Sequence, residues 1–370
     1  MIKQHFYIIG HNPNTLADAK EFLANGANAL EPDIHYHSNK AHKFFVYHSS
    51  TTYKVPLSTY LAGLRKVIKS KAKHLALLYF DIKNELPINE LRDYIFEHFS
   101  KFSDCKQVSI ILSYSSIDGG GFLRKYKALD AMPNAGILID EEDEPRDVRA
   151  FFSKKSQTKI AYGNGIYVAG LKSIFRSISE GKYVQVVSKP HFKMVFTWTL
   201  ASKNSMRDFL NLHINGIIVN ISTVKTLKKI LTTESHFSSQ YVLAKPGHNP
   251  WTAPGRPAYA LTIKTRDEGG AGTDSKITFT LFGSNGWVKS TVNSDYLVMM
   301  ESGQTNHCTL EGKDVGRIKK LHISIDGAGN GPGWLPKSIK VASNLGTKAV
   351  TFHYGEDDWI YDDTPSTKTV

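Results

Sequence analysis

Over the first two thirds of the chain, short apolar runs alternate with longer stretches in which apolar residues recur at helical spacing. Strand character falls at residues 6–10, 29–34, 75–82, 108–113, 135–140, 158–161, 194–199 and 216–219. Between them, Leu16, Ala19, Phe22 and Leu23 make one helical stripe, which Gly26 ends. Leu57, Tyr60, Leu61, Leu64, Val67 and Ile68 make another. Strands alternating with helices predict a parallel sheet with helical crossovers. About eight such units fit a (β/α)8 barrel, the TIM fold. Periodicity alone does not separate a closed barrel from an open sheet.

After Tyr259 the texture changes. YALTIKT, KITFTLFGS, KKLHISID, KSIKVAS and KAVTFHY are short runs parted by Gly-rich turns, the pattern of an antiparallel sandwich. Pro and Gly crowd the segment VLAKPGHNPWTAPGRPA, which reads as a linker. The division is therefore a barrel over 1–241, a tail or linker over 242–257 and an all-β domain over 258–360. The polar end, DDTPSTKTV, is expected to fray.

Hydrophobic residues make up 41% and charged residues 22%, ordinary for a folded domain. No apolar run approaches the roughly 18 residues of a membrane-spanning helix. The formal net charge of +12 draws the protein toward polyanions, either nucleic acid or an anionic membrane surface. No nucleic-acid recognition motif accompanies it. The Lys-rich stretch LRKVIKSKAK reads as the solvated face of a helix. Two cysteines, Cys105 and Cys308, fall in different domains, which argues against a disulfide and excludes a thiolate metal site by number. The opening MIKQHFYIIGHN lacks the features of a signal peptide, leaving a removed signal, another export route or an internal location.

Candidate chemistry gathers at strand ends. His11 follows the first strand. Glu31 and Asp33, two apart, share a face of the second. Paired carboxylates on one face repel unless a cation lies between them, and hard oxygen ligands select Mg²⁺ or Ca²⁺ over Zn²⁺. His48 closes FFVYHS, and Asp81 and Lys83 close LALLYFDIK. Each piece has an ordinary explanation: a surface histidine, an ion pair. The ordered set, histidine, E-x-D, histidine, D-x-K, each at a strand end, is much harder to obtain by chance.

This set resembles the glycerophosphodiester phosphodiesterase superfamily, and within it the sphingomyelinase D/phospholipase D toxins. GANALEPDIHYH, FVYHS, YFDIKN, FTWTLASKNSMRDFLNLHINGIIVN and NPW carry the likeness, over roughly residues 5–252. Two features favour the toxin branch. His11 is followed by Asn12 and Pro13 rather than Arg-Gly, and one helix fills most of the chain between His48 and Asp81. One departure is TTYKVPL, which lacks the cysteine-closed loop of the toxins.

The resemblance implies a secreted enzyme that cuts a phospholipid headgroup and leaves a cyclic phosphate. It implies Mg²⁺ held by Glu31, Asp33 and Asp81, His11 and His48 as base or nucleophile and acid, and Lys83 on the phosphate. Trp198 either faces a choline ammonium or packs in the core, and Asn220 supports the phosphate or a ligand carboxylate. His35 and His37 share the face of Asp33 but read as loop residues. The alternatives are a diesterase acting on deacylated substrates and an inactive membrane- or protein-binding module.

Residues 258–355 resemble a PLAT/LH2 domain through GAGTD, LFGS and GPGWLP. That likeness implies a peripheral membrane partner for a monomeric protein. Asp267, Asp274, Asp326 and Asn330 are either Ca²⁺ ligands or turn caps. Trp287 and Trp334 are interfacial candidates, with core packing preferred for Trp334.

Overall fold

The computed structural model describes residues 3–48, 54–70, 74–117, 132–140, 143–154, 158–165, 171–187, 191–252, 255–294 and 300–370. Eight parallel strands close into a barrel: β1 (Gln4–His11), β2 (Ala29–Glu31), β6 (Leu77–Ile82), β7 (Ser109–Tyr114), β8 (Ala135–Asp140), β9 (Ile160–Gly165), β10 (Met194–Trp198) and β11 (Gly216–Val219). The ladder returns on itself because β11 pairs with β1, Tyr7 opposite Gly216. Around it lie α1 (Leu16–Asn25), α2 (Leu57–Ser70), α3 (Ile88–Ile95), α4 (Pro145–Ser153), α5 (Leu171–Val187), α6 (Lys203–Asn211), α7 (Ile221–Thr233) and the short α8 (Ser235–Gln240). Helix α1 starts on a capping box between Thr15 and Asp18 and stops at Gly26, whose φ of 106° few other residues adopt at low cost.

Strand alternation sorts the side chains. Tyr7, Ile9, Leu77, Tyr79, Ile111, Leu138, Met194, Phe196 and Ile218 fill the barrel. Phe6, Ile8, Leu78, Phe80, Ile110 and Ile217 face the helices. Gly10 allows α1 close to β1, since a Cβ there would meet Phe22 at 2.5 Å.

Two strand expectations differ in detail. The run 29–34 is split by Pro32, which has no N–H for the ladder, into β2 and β3 (Asp33–Tyr36). Strand β3 turns outward into a small antiparallel meander with β4 (Phe44–Val46) and β5 (Val55–Pro56). The run 158–161 begins and ends later, as β9, because small residues (Gly163, Gly165) carry it further than apolar content suggests.

The Pro/Gly-rich segment closes the barrel floor. Strand β12 (Tyr241–Leu243) pairs with the start of β1, and Trp251 inserts under the barrel. The Trp251 indole donates to Asn134 O at 3.0 Å, and only a glycine fits at position 136, where a Cβ would lie 2.4 Å from the ring.

Two four-stranded antiparallel sheets follow. One orders β16 (Thr305–Glu311), β13 (Ala258–Thr265), β18 (Pro336–Ser343) and β19 (Val350–His353). The other orders β15 (Gly286–Asn293), β14 (Lys276–Gly283), β17 (Ile318–Ile325) and β20 (Ser366–Thr369). The C-terminal residues expected to fray instead form β20, an edge strand held to β17 by backbone bonds that need no apolar side chains. Trp334 is fully buried, edge-on to Phe279, with its indole N–H on Thr265 Oγ1 at 3.2 Å. Trp287 is 52% exposed. Cys105 and Cys308 are free and buried.

The two domains meet along α5. Lys182 and Glu311 form an ion pair at 2.7 Å, both side chains almost wholly buried. Glu180 meets His307 at 2.7 Å, and Tyr183 OH lies 2.9 Å from Thr262 Oγ1.

Candidate active site at the barrel mouth

His11 is in phase with Tyr7 and Ile9 and so ends the inward-facing row of β1. Register sets it directly opposite Glu31, and sets Asp33 opposite Asp81. His11, Glu31 and Asp81 lie at or beside the C-terminal ends of β1, β2 and β6, and Asp33 opens β3 just past β2, on the side of such barrels where loops and chemistry collect. Oxygen atoms of Glu31, Asp33 and Asp81 all lie within 4.8 Å of one another. Asp33 is fully buried and Glu31 nearly so, while Asp81 is partly exposed.

Neighbouring groups hold this cluster in shape. Asn14 donates to Asp33 Oδ2 at 2.8 Å and accepts the Asp33 N–H at 2.8 Å. Asn12 takes a left-handed φ of 52°, which asparagine tolerates, and its N–H donates to Glu31 Oε2 at 2.9 Å. Tyr60 of α2 donates to Pro13 O at 2.8 Å, tying down the turn that carries these two asparagines. Lys83 lies 3.0 Å from Asp33 Oδ1 and in tight contact with Asp81.

The two histidines border the same space. His48 Nδ1 is 3.1 Å from Asp33 Oδ2 and 3.4 Å from Asn12 Nδ2. His11 Nδ1 is 3.2 Å from Asn220 Oδ1, at the end of β11. Across the mouth, Trp198 donates its indole N–H to Asp140 Oδ1 at 2.6 Å, and Tyr79 donates to Asp140 Oδ2 at 2.8 Å. The Trp198 ring crosses Gly165, where a Cβ would lie 2.5 Å from the indole.

Burial, then the charges of Asp81 and Asp33, push the Glu31 carboxyl well above its ordinary range. Asp81 is also raised, first by burial, with Lys83 opposing. Burial disfavours the Lys83 ammonium, but Asp81 and Asp33 outweigh it and hold the lysine above its usual range. Burial lowers His11 and favours the neutral imidazole. Three crowded acids, two of them driven toward protonation, form an all-oxygen donor set that a divalent cation suits and relieves. The triad is therefore a site able to hold a metal ion in the barrel.

Residues 2–251 match the family described as dermonecrotic toxin SPH, and residues 259–370 match the PLAT/LH2 domain. The chain belongs to the SPH dermonecrotic toxin family. It is accordingly a phospholipase D-type phosphodiesterase carrying a PLAT domain. A dermonecrotic toxin of Loxosceles sabina is 25% identical over 66% of this chain and 98% of its own length. One from Sicarius cf. damarensis is 26% identical over the same shares. Among solved structures, a glycerophosphodiester phosphodiesterase from Parabacteroides distasonis is 16% identical. It covers 63% of this chain and 100% of its own, with a TM-score of 0.43.

In this family member the expected residues converge: Glu31, Asp33, Asp81, Lys83, His11 and His48 around one space, with Asn220 on His11. Trp198 stands further round the rim, on Asp140. Sequence reasoning missed Asn12, Asn14 and Asp140. Asp140 carried the same signal as Asp81, an acid closing an apolar run; the asparagines carried none, because their role rests on hydrogen bonds alone. His35 stacks on Tyr47 with centroids 3.9 Å apart, and His37 Nε2 lies 3.0 Å from the Tyr47 hydroxyl. Part of the loop in which the toxins have their cysteine, residues 49–53, lies outside the described residues. In the PLAT domain, Asp326 Oδ1 accepts from the N–H groups of Lys276 and Ala328 and so caps a turn. Among the described residues, the barrel triad is the one group of three or more His, Cys, Asp or Glu close enough to share an ion.

Proposed function

We propose that the chain is an Mg²⁺-assisted phospholipase D of sphingomyelinase D type, cutting the headgroup phosphodiester of sphingo- or lysophospholipids and leaving a cyclic phosphate. The observation that carries this reading is the pair of imidazoles bordering a carboxylate triad with a lysine on its edge.

Glu31, Asp33 and Asp81 are the residues to hold Mg²⁺, which when bound would offset negative charge on the phosphodiester oxygens. Lys83, a third exposed between Asp33 and Asp81, offers its ammonium to the same oxygens. His11 is kept neutral by burial, and Asn220 at Nδ1 leaves Nε2 with its lone pair. It takes the proton of the lipid's own hydroxyl as that oxygen bonds to phosphorus. His48, steadied by the Asp33 carboxylate, gives a proton to the departing headgroup alcohol as the old P–O bond breaks. Trp198 presents its π face to a quaternary ammonium, with the Asp140 carboxylate beside it.

The reading includes a monomer, peripheral contact with a membrane through the PLAT domain, and secretion. Exposed Trp287 and the +12 net charge suit a lipid surface, and the relatives named as toxins suit export.

Mass spectrometry of products from sphingomyelin, lysophosphatidylcholine and glycerophosphocholine tests it. Cyclic lipid phosphate and free headgroup are expected from the lipids, lost on chelation with EDTA and restored by Mg²⁺. His11→Ala and His48→Ala should each abolish turnover. Turnover of glycerophosphocholine alone would establish the diesterase reading instead, and none on any substrate would leave a binding module.

A further inference from the structure

At the opposite end of the barrel from the acids, a cavity of about 700 Å³ opens between the barrel floor, the end of α5 and the PLAT domain. That size suits a small organic molecule. Lys3, Lys182, Lys193 and Arg256 line it against, among the described residues, a single carboxylate, Glu311, which Lys182 already engages at 2.7 Å. The cavity is thus a cationic site made jointly by both domains.

Particular donors on its walls lack a partner, although amide oxygens of Gln4, Gln185 and Asn215 also line it. Arg256 spends Nη1 on Gln4 Oε1 at 3.1 Å, yet its buried Nε and Nη2 have no hydrogen-bond partner among the described residues. Tyr7, 1% exposed, lines the cavity, and its hydroxyl is likewise without a partner there. Buried donors left unpaired are costly and rare, so several on one cationic wall select a ligand rich in acceptors. The planar guanidinium edge matches the paired oxygens of a phosphate. Phe192, Met194 and Leu345 add an apolar side. The stacked rings of His5 and His248, 3.7 Å apart, form a flat wall, and burial brings His248 down to about 4, so it adds no charge near neutrality.

We propose that this seam cavity binds a small organic phosphate monoester, held by Arg256, Lys182 and the Tyr7 hydroxyl, and thereby clamps the two domains together. The chemistry is shared by a single-chain lipid phosphate and by a soluble sugar or polyol phosphate.

Calorimetric titration of the full chain with monododecyl phosphate and with glycerol 3-phosphate, paired with hydrogen-exchange mapping, tests this. Millimolar or tighter binding of one or both is expected, with backbone protection at 247–252 and 343–345. Arg256→Gln should weaken it about tenfold or more, the worth of a charge-assisted bond. Tyr7→Phe, which removes a hydroxyl with no described partner and so spares the fold, should weaken it several-fold. His11→Ala should leave seam protection intact. Preference for the alkyl phosphate identifies a lipid source, and preference for glycerol 3-phosphate a soluble one. No binding of either, protection confined to the barrel mouth, or unchanged affinity in both cavity variants overturns the proposal.

Discussion

Single side chains at the mouth act through what their neighbours leave room for. Trp198 can cross the rim because β9 offers glycine at the two positions beneath it and Asp140. A Cβ on Gly165 would fall 1.9 Å from Trp198 O and 2.5 Å from its indole, and one on Gly163 would fall 2.8 Å from Asp140 Oδ1. Gly165→Ala is therefore expected to displace the indole, lowering turnover of choline lipids while costing about 1–3 kcal/mol of stability. Steady-state assays beside urea denaturation check both. Unchanged turnover would remove Trp198 from the substrate site. At this scale the acids and histidines were legible, since chemistry demands particular residue types at strand ends. Asn12 and Asn14 were not, because an asparagine that orients a carboxylate looks in sequence like any turn residue.

Among the elements, the barrel strands were legible wherever side chains were apolar enough to mark them. Strands β5, β12 and β20 were not: they are two to four residues long and lie at sheet edges, too short to show a period, while β4 buries Phe44 and Val46 but is only three residues long. The tail shows the same limit. Pro and Gly marked 242–257 as a break in pattern, yet β12 and Trp251 within it complete the barrel floor. Trp251→Ala would empty the space against Gly136 and cost about 3–5 kcal/mol. Turnover per folded molecule should persist, because the plug lies at the end away from the acids. Denaturation midpoints and active-site titration together would check this. An unchanged midpoint would mean that the tail contributes no packing.

Across the whole molecule, the barrel and PLAT domain share buried charge. Glu311 stays ionised despite burial because Lys182, then His213 and Arg256, outweigh it. Burial lowers Lys182 in turn, against the pull of Glu311, so neither partner is comfortable alone. Glu311→Gln should destabilise by about 3–5 kcal/mol through the ammonium it strands, whereas Lys182→Met with Glu311→Leu should be close to neutral. Chemical denaturation of both variants decides it, and equal losses in the two would sink the argument. By itself the sequence determined the barrel-then-sandwich order and the identity of the metal-ready acids and flanking histidines, because strand alternation and reaction chemistry both act over a few residues. Only the tertiary structure decided that the tail seals the floor, that Asp140 anchors Trp198 and that a cationic cavity spans the seam. Those depend on which distant segments meet, and no local pattern records a meeting between residues 4 and 256 or between 182 and 311.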